Sequence, residues 1–163
     1  MTTVSRSIRT RRLKMTTQIP SIYKAVFLYW DPPCALWGAF MSYFTRDWML
    51  DQFFLDSHTG TRDAAHDLLL YQGGGAMIGC AILNGVLLRY TKDIGVWKIA
   101  QAAILAIDLS LLAGTIEVFG KQGRLSPFTW QAGDWVGMII TIGVTVARVS
   151  FLAELGFKKQ KTR

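Results

Sequence analysis

Residues 19–44 read IPSIYKAVFLYWDPPCALWGAFMSYF. This stretch is long enough to cross a bilayer, because about 20 mainly apolar residues suffice. It carries Asp31, Pro32 and Pro33 near its middle, where a carboxylate is costly and each proline removes a backbone donor. Such a break is tolerated where it faces protein or a water-filled cavity. We therefore predict that Asp31 points into a helix bundle beside a kink.

The faces of this segment differ in side-chain size. The residues that share the face of Asp31 are small, which favours close helix contact or a ligand cavity there; they are Ala35, Gly38 and Ser42. The other faces are aromatic and carry Phe27, Tyr29, Trp30, Trp37, Phe40, Tyr43 and Phe44. Tyr29, Trp30 and Trp37 are therefore candidates for binding an apolar substrate.

The composition of the whole chain predicts a membrane protein. Of its 163 residues, 51% are hydrophobic and 18% charged, whereas soluble domains carry about 25% charged residues. The apolar residues fall in long runs, so we predict an all-α, polytopic membrane protein of one domain, a bundle of four transmembrane helices. The net charge of +7 comes from Lys and Arg that flank these runs, and no nucleic-acid module or nucleic-acid partner is predicted. Cys34 and Cys80 lie inside spans and are expected to be free thiols.

The order and orientation of the segments follow from the apolar runs and their flanks. The alternating sides of the predicted spans hold thirteen and four Lys or Arg residues, which places both termini in the cytosol by the positive-inside rule. The chain ends in Lys-Gln-Lys-Thr-Arg, where Lys159 and Lys161 resemble a dibasic retrieval signal of the endoplasmic reticulum; the alternative is an ordinary basic flank. The predicted segments are a basic, disordered tail at 1–18, spans at 19–44, 64–88, 94–119 and 134–157, and a basic tail at 158–163.

Three ionisable residues are predicted at one depth in the bilayer. Counted from the cytosolic ends of their spans at about 1.5 Å per residue, Asp31 lies at about 18 Å, Asp108 at about 17 to 20 Å and Arg148 at about 14 Å. Asp31 or Asp108 is therefore expected to pair with Arg148, while the other carboxyl stays protonated. Two polar stripes support inward faces: Gln101, Asp108 and Thr115 in the third span, and Asp134, Gly137, Thr141, Thr145 and Arg148 in the fourth.

A second acidic group is predicted at the lumenal edge. Glu117 and Asp134 lie there with Trp130 and Trp135, so both acids are alternative catalytic candidates and both tryptophans are candidates for substrate binding. A structural ion pair remains the alternative for any one of these residues, although intramembrane ionisable residues are candidates for function. The histidines and aspartates of the first loop fit no defined metal spacing, and neither a metal nor a cofactor is predicted.

A buried acid among aromatic side chains is typical of proton-initiated carbocation chemistry. Burial keeps a carboxylic acid protonated at neutral pH, and the acid can then protonate an epoxide or an alkene. Aromatic faces attract the developing cation, and exclusion of water protects it. The combination suits terpene cyclisation, isomerisation of a sterol double bond, or plain binding of an amine or sterol.

Several short motifs carry a resemblance to a known group of proteins. They are Ile19-Pro20, Tyr23, Phe27 to Pro32, Gly38-Ala39, Val96-Trp97, Asp108, Trp130, Asp134-Trp135, Arg148 and Phe151-Leu152. With these motifs, about residues 19–155 resemble a family of small fungal four-span membrane proteins. That family is similar to the membrane-bound terpene cyclases of meroterpenoid pathways of the ascofuranone, ascochlorin and macrophorin type. The chain departs from the pattern at Asp31, where glutamate is commoner, and at the second proline.

The resemblance implies an integral membrane terpene cyclase that closes rings in a farnesyl-type chain attached to an aromatic head. Asp31 and Asp108 are then the candidate acids and Arg148 is their orienting partner. The implied partners are the lipid bilayer, a prenylated small-molecule substrate and other membrane enzymes of the pathway. The alternative is a non-catalytic membrane protein that binds lipid, sterol or a membrane partner.

Overall fold

The computed structural model describes residues 16–54 and 63–160 of the chain. The predicted tail as far as residue 15, the loop residue His58 and the retrieval-signal residue Lys161 lie outside these described residues. Helices account for nearly all of the described chain, as predicted. In chain order the elements are β1 (Thr16–Gln18), α1 (residues 21–44), α2 (Arg46–Phe53), α3 (Ala64–Tyr90), α4 (Ile94–Lys121), a 3₁₀ turn (Pro127–Thr129), α5 (Ala132–Leu152) and β2 (Lys158–Gln160).

Three of these helices, α3, α4 and α5, are long and apolar enough to cross a membrane. Helix α1 packs chiefly against α3, and α4 packs against α5. Because lipid tails are as apolar as leucine side chains, helices in a bilayer associate through close packing and polar contacts between them. The inner contacts of the bundle therefore decide its arrangement, and its outer apolar side chains are compatible with lipid.

Close helix contact occurs where glycine leaves room. A Cβ atom at Gly74 would lie 2.9 Å from Cζ of Tyr43, and one at Gly38 would lie 2.5 Å from Sδ of Met77. The small face predicted on α1 thus does meet a neighbouring helix. The spacing of Gly75 and Gly79 on α3 predicts a second close contact, but Gly79 has no atom within 4 Å of its Cβ position and Gly75 has only the Tyr43 hydroxyl at 3.7 Å.

Helix α1 changes its winding at the predicted break. A π-helical turn, Val26–Trp30, lies between the α-helical segments Ser21–Ala25 and Asp31–Phe44. Pro32 has no N–H to give to the carbonyl of Leu28 four positions earlier, and Nη2 of Arg89 donates to that oxygen instead, at 2.9 Å. A second π-helical turn, Leu83–Leu87 in α3, is in contact with the first. Such turns are rare and are frequent at functional sites.

Both ends of the described chain come together at one end of the bundle. The two short strands pair antiparallel, with Gln18 opposite Lys158. Tyr23 donates from its hydroxyl to the carbonyl of Leu155 at 2.9 Å. Beneath this pair lies an aromatic core of Tyr23, Phe27, Trp97 and Phe151 with Leu88 and Ala100.

The largest departures from the predicted segments lie at the end of α5 and in the first loop. Helix α5 ends at Leu152, five residues before the predicted end, because the chain turns through Glu154 and Gly156, which have φ values of 57° and 77°. The predicted first loop begins with a helix, α2, that contacts α5.

Candidate functional site

Arg148 lies at the centre of a buried polar cluster. Its Nη2 atom donates to Oδ2 of Asp31, and its Nη1 atom donates to Oδ2 of Asp108. Its Nε atom donates to the side-chain oxygen of Gln101 at 3.2 Å. Only 1% of the Arg148 side chain is exposed, against 10% for Asp31 and 12% for Asp108. One of the two acids was predicted to pair with Arg148. In the structure both of them do.

Two amides close this cluster into a ring. Gln101 donates from Nε2 to Oδ1 of Asn84 at 2.6 Å, and Asn84 donates from Nδ2 to Asp31. Both amide side chains are fully buried. The five residues come from the four long helices α1, α3, α4 and α5, so each of these four contributes at least one polar group to the cluster. We call Asp31, Asn84, Gln101, Asp108 and Arg148 the central network.

Asn84 was missed in the sequence, although a signal for it exists. It is an amide within the apolar run Ile82-Leu83-Asn84-Gly85-Val86, where a polar group without a partner would be costly. Its position within a π-helical turn changes which face of α3 it occupies, and regular helical periodicity does not reveal such a change.

A second buried ion pair lies at the end of the bundle opposite the strands. Arg124 donates from Nη2 to Oδ2 of Asp134, and both residues are 2% exposed. Asp134 Oδ2 also accepts from the backbone N–H of Gln131 at 2.7 Å, which caps the start of α5. The Arg124 guanidinium lies 5.1 Å from the ring centre of Phe119. Arg124 lies between the predicted third and fourth spans, and this pair was not predicted from the sequence.

The other residues predicted near Asp134 have separate surroundings. Trp130 and Trp135 are in contact, with ring centres 4.9 Å apart and ring planes tilted by 59°, and the Trp130 indole donates to the Arg124 carbonyl at 3.0 Å. Glu117 is exposed and pairs with Lys121 at 2.5 Å. The structure therefore brings Asp134 and the two tryptophans to one region and gives Glu117 a separate partner at the surface.

A large apolar groove runs between α1 and α5. Its volume is about 790 Å³. Tyr29, Trp30 and Trp37 line its α1 side, and all three are more than half exposed. Trp48 and Met49 from α2 line another part. The three substrate-binding candidates of α1 thus lie in one groove. The other two candidates, Trp130 and Trp135, are not part of its lining.

The lining of the groove includes residues that follow Asp31 in the chain but no residue of the central network. Pro33 and Cys34, which follow Asp31 by two and three positions, line the groove, as does Thr141. The side chains of Asp31 and Asp108 do not belong to its lining. Lining residues of the groove therefore follow Asp31 and Asp108 by two or three positions in the chain, as Pro33, Cys34 and Leu111 do.

A smaller cavity of about 40 Å³ adjoins the groove near Asp134. The two cavities share the lining residues Phe53, Leu111, Gly137 and Thr141. Among the residues that the structure describes, no group of three or more His, Cys, Asp or Glu side chains is placed to hold a metal ion. His66 instead takes part in the cap of α3, where the backbone N–H of Asp63 donates to its Nδ1 at 3.3 Å.

The family described as Domain of unknown function (DUF7704) matches residues 16–158 of the chain. No curated protein matches the chain, and no solved structure matches it. The matched range contains the whole central network, the Arg124–Asp134 pair and the five helices α1 to α5.

Proposed function

We propose that this chain, which belongs to the DUF7704 family, is an integral membrane terpene cyclase that uses an acid of the central network to start cyclisation of a prenyl chain. The observation that carries the proposal is the aromatic groove beside two buried carboxyl groups. Its volume of about 790 Å³ lies in the range of small-molecule sites, about 300–1,000 Å³.

The proposal includes a fourth membrane span. Helices α3, α4 and α5 have the length and composition of spans, and the pairing of β1 with β2 supports an even number of crossings. Helix α1, with 24 residues from 21 to 44, is then the remaining crossing. We place both termini in the cytosol because the flanking Lys and Arg are unevenly distributed.

Charge balance in the central network supports a stored proton. Two carboxylates around the single guanidinium of Arg148 would leave one negative charge without compensation. Uncompensated charge inside a bilayer is costly, and the cluster becomes neutral when either Asp31 or Asp108 keeps its proton. That proton is the proposed starting proton for an epoxide oxygen or an alkene.

The aromatic lining supplies the other requirement of the reaction. The faces of Tyr29, Trp30 and Trp37, which line the groove, would stabilise a cation as the rings close. Loss of a proton from the cyclised cation to the carboxylate completes the cycle. The side chains of Asp31 and Asp108 are 10% and 12% exposed, so neither acid is completely enclosed, although neither lines the groove.

The test is turnover by microsomes that contain the chain, supplied with prenylated phenols and their terminal epoxides. Asp31→Asn and Asp108→Asn keep size and hydrogen bonding but remove the transferable proton. The variant of the true donor should be expressed normally and lose turnover about 100- to 10,000-fold. Glu117→Gln, at an exposed ion pair, is the matched control and should retain turnover. Normal turnover by both aspartate variants would refute the proposed acid.

A second candidate function is binding of a lipid or sterol without chemistry. It is favoured by the contacts of both carboxyl groups with Arg148 and by their absence from the groove lining. A ligand that is recovered unchanged after prolonged incubation with the protein would support it.

Residence in the endoplasmic reticulum is also part of the proposal. It is supported by the chain end Lys-Gln-Lys-Thr-Arg, which has the form of a receptor-read address. Replacing Lys159 and Lys161 with serine should let the protein reach later compartments. An unchanged distribution of the variant would identify the segment as a basic flank only.

A further inference from the structure

We infer that Asp134 binds the hydroxyl group of a long, apolar ligand whose body lies in the groove. The inference assigns a polar end to the site and does not require turnover. The inference rests on the proposed function only if the ligand is the cyclase substrate. In that case the aromatic head of the substrate carries the hydroxyl group.

The first observation is an unused acceptor. The Asp134 side chain is fully buried, and its Oδ2 atom already accepts from Arg124 and from the backbone of Gln131. Its Oδ1 atom is buried and accepts no hydrogen bond from any described residue. Buried polar atoms almost always have a partner. A donor that is supplied from outside the protein would satisfy this oxygen.

The second observation is a space of matching size. Asp134 lines the small cavity of about 40 Å³ together with Thr115 and Phe119. A cavity of this volume accommodates a group of about the size of one water molecule. Thr115 does not fill the role of donor, because its hydroxyl donates to the carbonyl of Leu111 at 2.8 Å. The cavity thus has room for one hydroxyl group at the wall to which Asp134 contributes, and a small shift of the fully buried carboxyl brings Oδ1 into contact with it.

The third observation is the continuity of the two cavities. Gly137 and Thr141 belong to the lining of both the small cavity and the large groove. A ligand can therefore place its hydroxyl near Asp134 and its apolar chain along the aromatic side of α1. Because a carboxylate has lone pairs and no proton to give, it selects a donor such as an alcohol or phenol over an ether or ketone.

The test compares two probes that differ in one hydrogen-bond donor. Farnesol and farnesyl methyl ether share the same chain, and only farnesol can donate to Asp134. Affinity is measured on the purified full chain in lipid nanodiscs by isothermal titration. We expect farnesol to bind about tenfold tighter or better, since hydrogen bonds to charged groups are the stronger kind. Equal affinity of the two probes would show that the cavity holds water only and would overturn the inference.

Two variants locate the contact. In Asp134→Asn the amide can retain its oxygen toward Arg124 and turn its NH₂ group to the cavity, so the preference for farnesol should disappear or reverse. An unchanged preference would overturn the inference. Gly137→Ala adds a methyl group at a position with no atom within 4 Å, which narrows the junction of the cavities and should weaken farnesol binding several-fold.

Gly143→Ala is the matched control for the second variant. It lies on the same helix, also has no atom within 4 Å of its Cβ position, and should bind farnesol like the unchanged chain. If Asp134→Asn fails to fold, equal binding by the Gly137→Ala and Gly143→Ala proteins overturns the inference by itself. Selective binding without turnover would refute only the cyclase, whereas turnover without selectivity would refute only this site.

Discussion

Asp31 and Arg148 form a buried ion pair although 117 positions separate them in the chain. The pair joins α1 to α5, the first and last long helices, which also meet where Tyr23 and Phe27 pack against Phe151 and which face each other across the open groove. Arg148 joins the same contact to α4 through Asp108 and Gln101. The central network therefore adds a polar link to the aromatic contacts between α1 and α5, and it fixes one wall of the groove relative to the other.

Replacing Arg148 with methionine should destabilise the protein strongly. The change leaves two carboxyl groups without their cation, and loss of one member of a buried pair costs about 3–5 kcal/mol. Thermal unfolding in detergent, followed by tryptophan fluorescence, measures the loss. Lys121→Met is the control, because its pair with Glu117 is exposed on both sides and such pairs contribute about 0–1 kcal/mol. Equal unfolding temperatures for the two variants would contradict the central role of Arg148.

The hydrogen bond between Asn84 and Gln101 should make their substitutions non-additive. Asn84→Leu leaves the Gln101 amide without its acceptor, and Gln101→Leu leaves the Asn84 oxygen without its donor. Each unsatisfied buried group costs about 1–3 kcal/mol. The double variant should therefore lose less stability than the sum of the single variants, by about 0.5–3 kcal/mol. Strict additivity in chemical unfolding would mean that this contact does not contribute.

Helix α3 should tolerate an added methyl group at Gly79 but not at Gly74, where it packs against α1. Gly74→Ala places its Cβ 2.9 Å from the Tyr43 ring and 3.1 Å from Cβ of Ser42. Overpacking of this kind costs about 1–3 kcal/mol. Gly79→Ala meets no atom within 4 Å and should be neutral or stabilising by up to about 1 kcal/mol, as glycine is a poor helix former. Unfolding temperatures in the reverse order would contradict the packing described for α1 and α3.

Both chain ends should be accessible from the same side of the membrane. The strand pair holds Gln18 opposite Lys158, so a tag before β1 and a tag after β2 extend from neighbouring positions. Protease added to sealed microsomes should remove both tags. Protection of one tag alone would exclude an even number of crossings and would leave α1 outside the set of spans.

The sequence revealed the parts of the site that involve charge and depth. Asp31, Asp108 and Arg148 could be placed at one level because the rise of a helix is nearly constant, and ionisable residues in apolar runs stand out. Asn84 and the Arg124–Asp134 pair could not be found in the same way. The face of Asn84 depends on a π-helical turn, and Arg124 reaches Asp134 through a tight turn that follows α4.

Only one side of the groove could be predicted from the sequence. The aromatic side of α1 was predicted from Tyr29, Trp30 and Trp37, but their opposite wall is formed in part by α2, a helix in a segment of mixed charge. Its hydrophobic residues Trp48, Met49 and Phe53 face the groove. Eight residues are too few for periodicity alone to distinguish such a helix from a surface loop.

The two π-helical turns bear on how this chain should be compared with its relatives. Each wide turn, Val26–Trp30 and Leu83–Leu87, accommodates extra backbone within an otherwise regular helix. Consider a relative with a regular α-helix in place of a wide turn. The same residues then face the bundle interior only if that relative is one residue shorter at the turn. Correct alignment with such a relative should therefore carry a single-residue gap at that turn, and an alignment without the gap at residues 83–87 would rotate Asn84 out of correspondence.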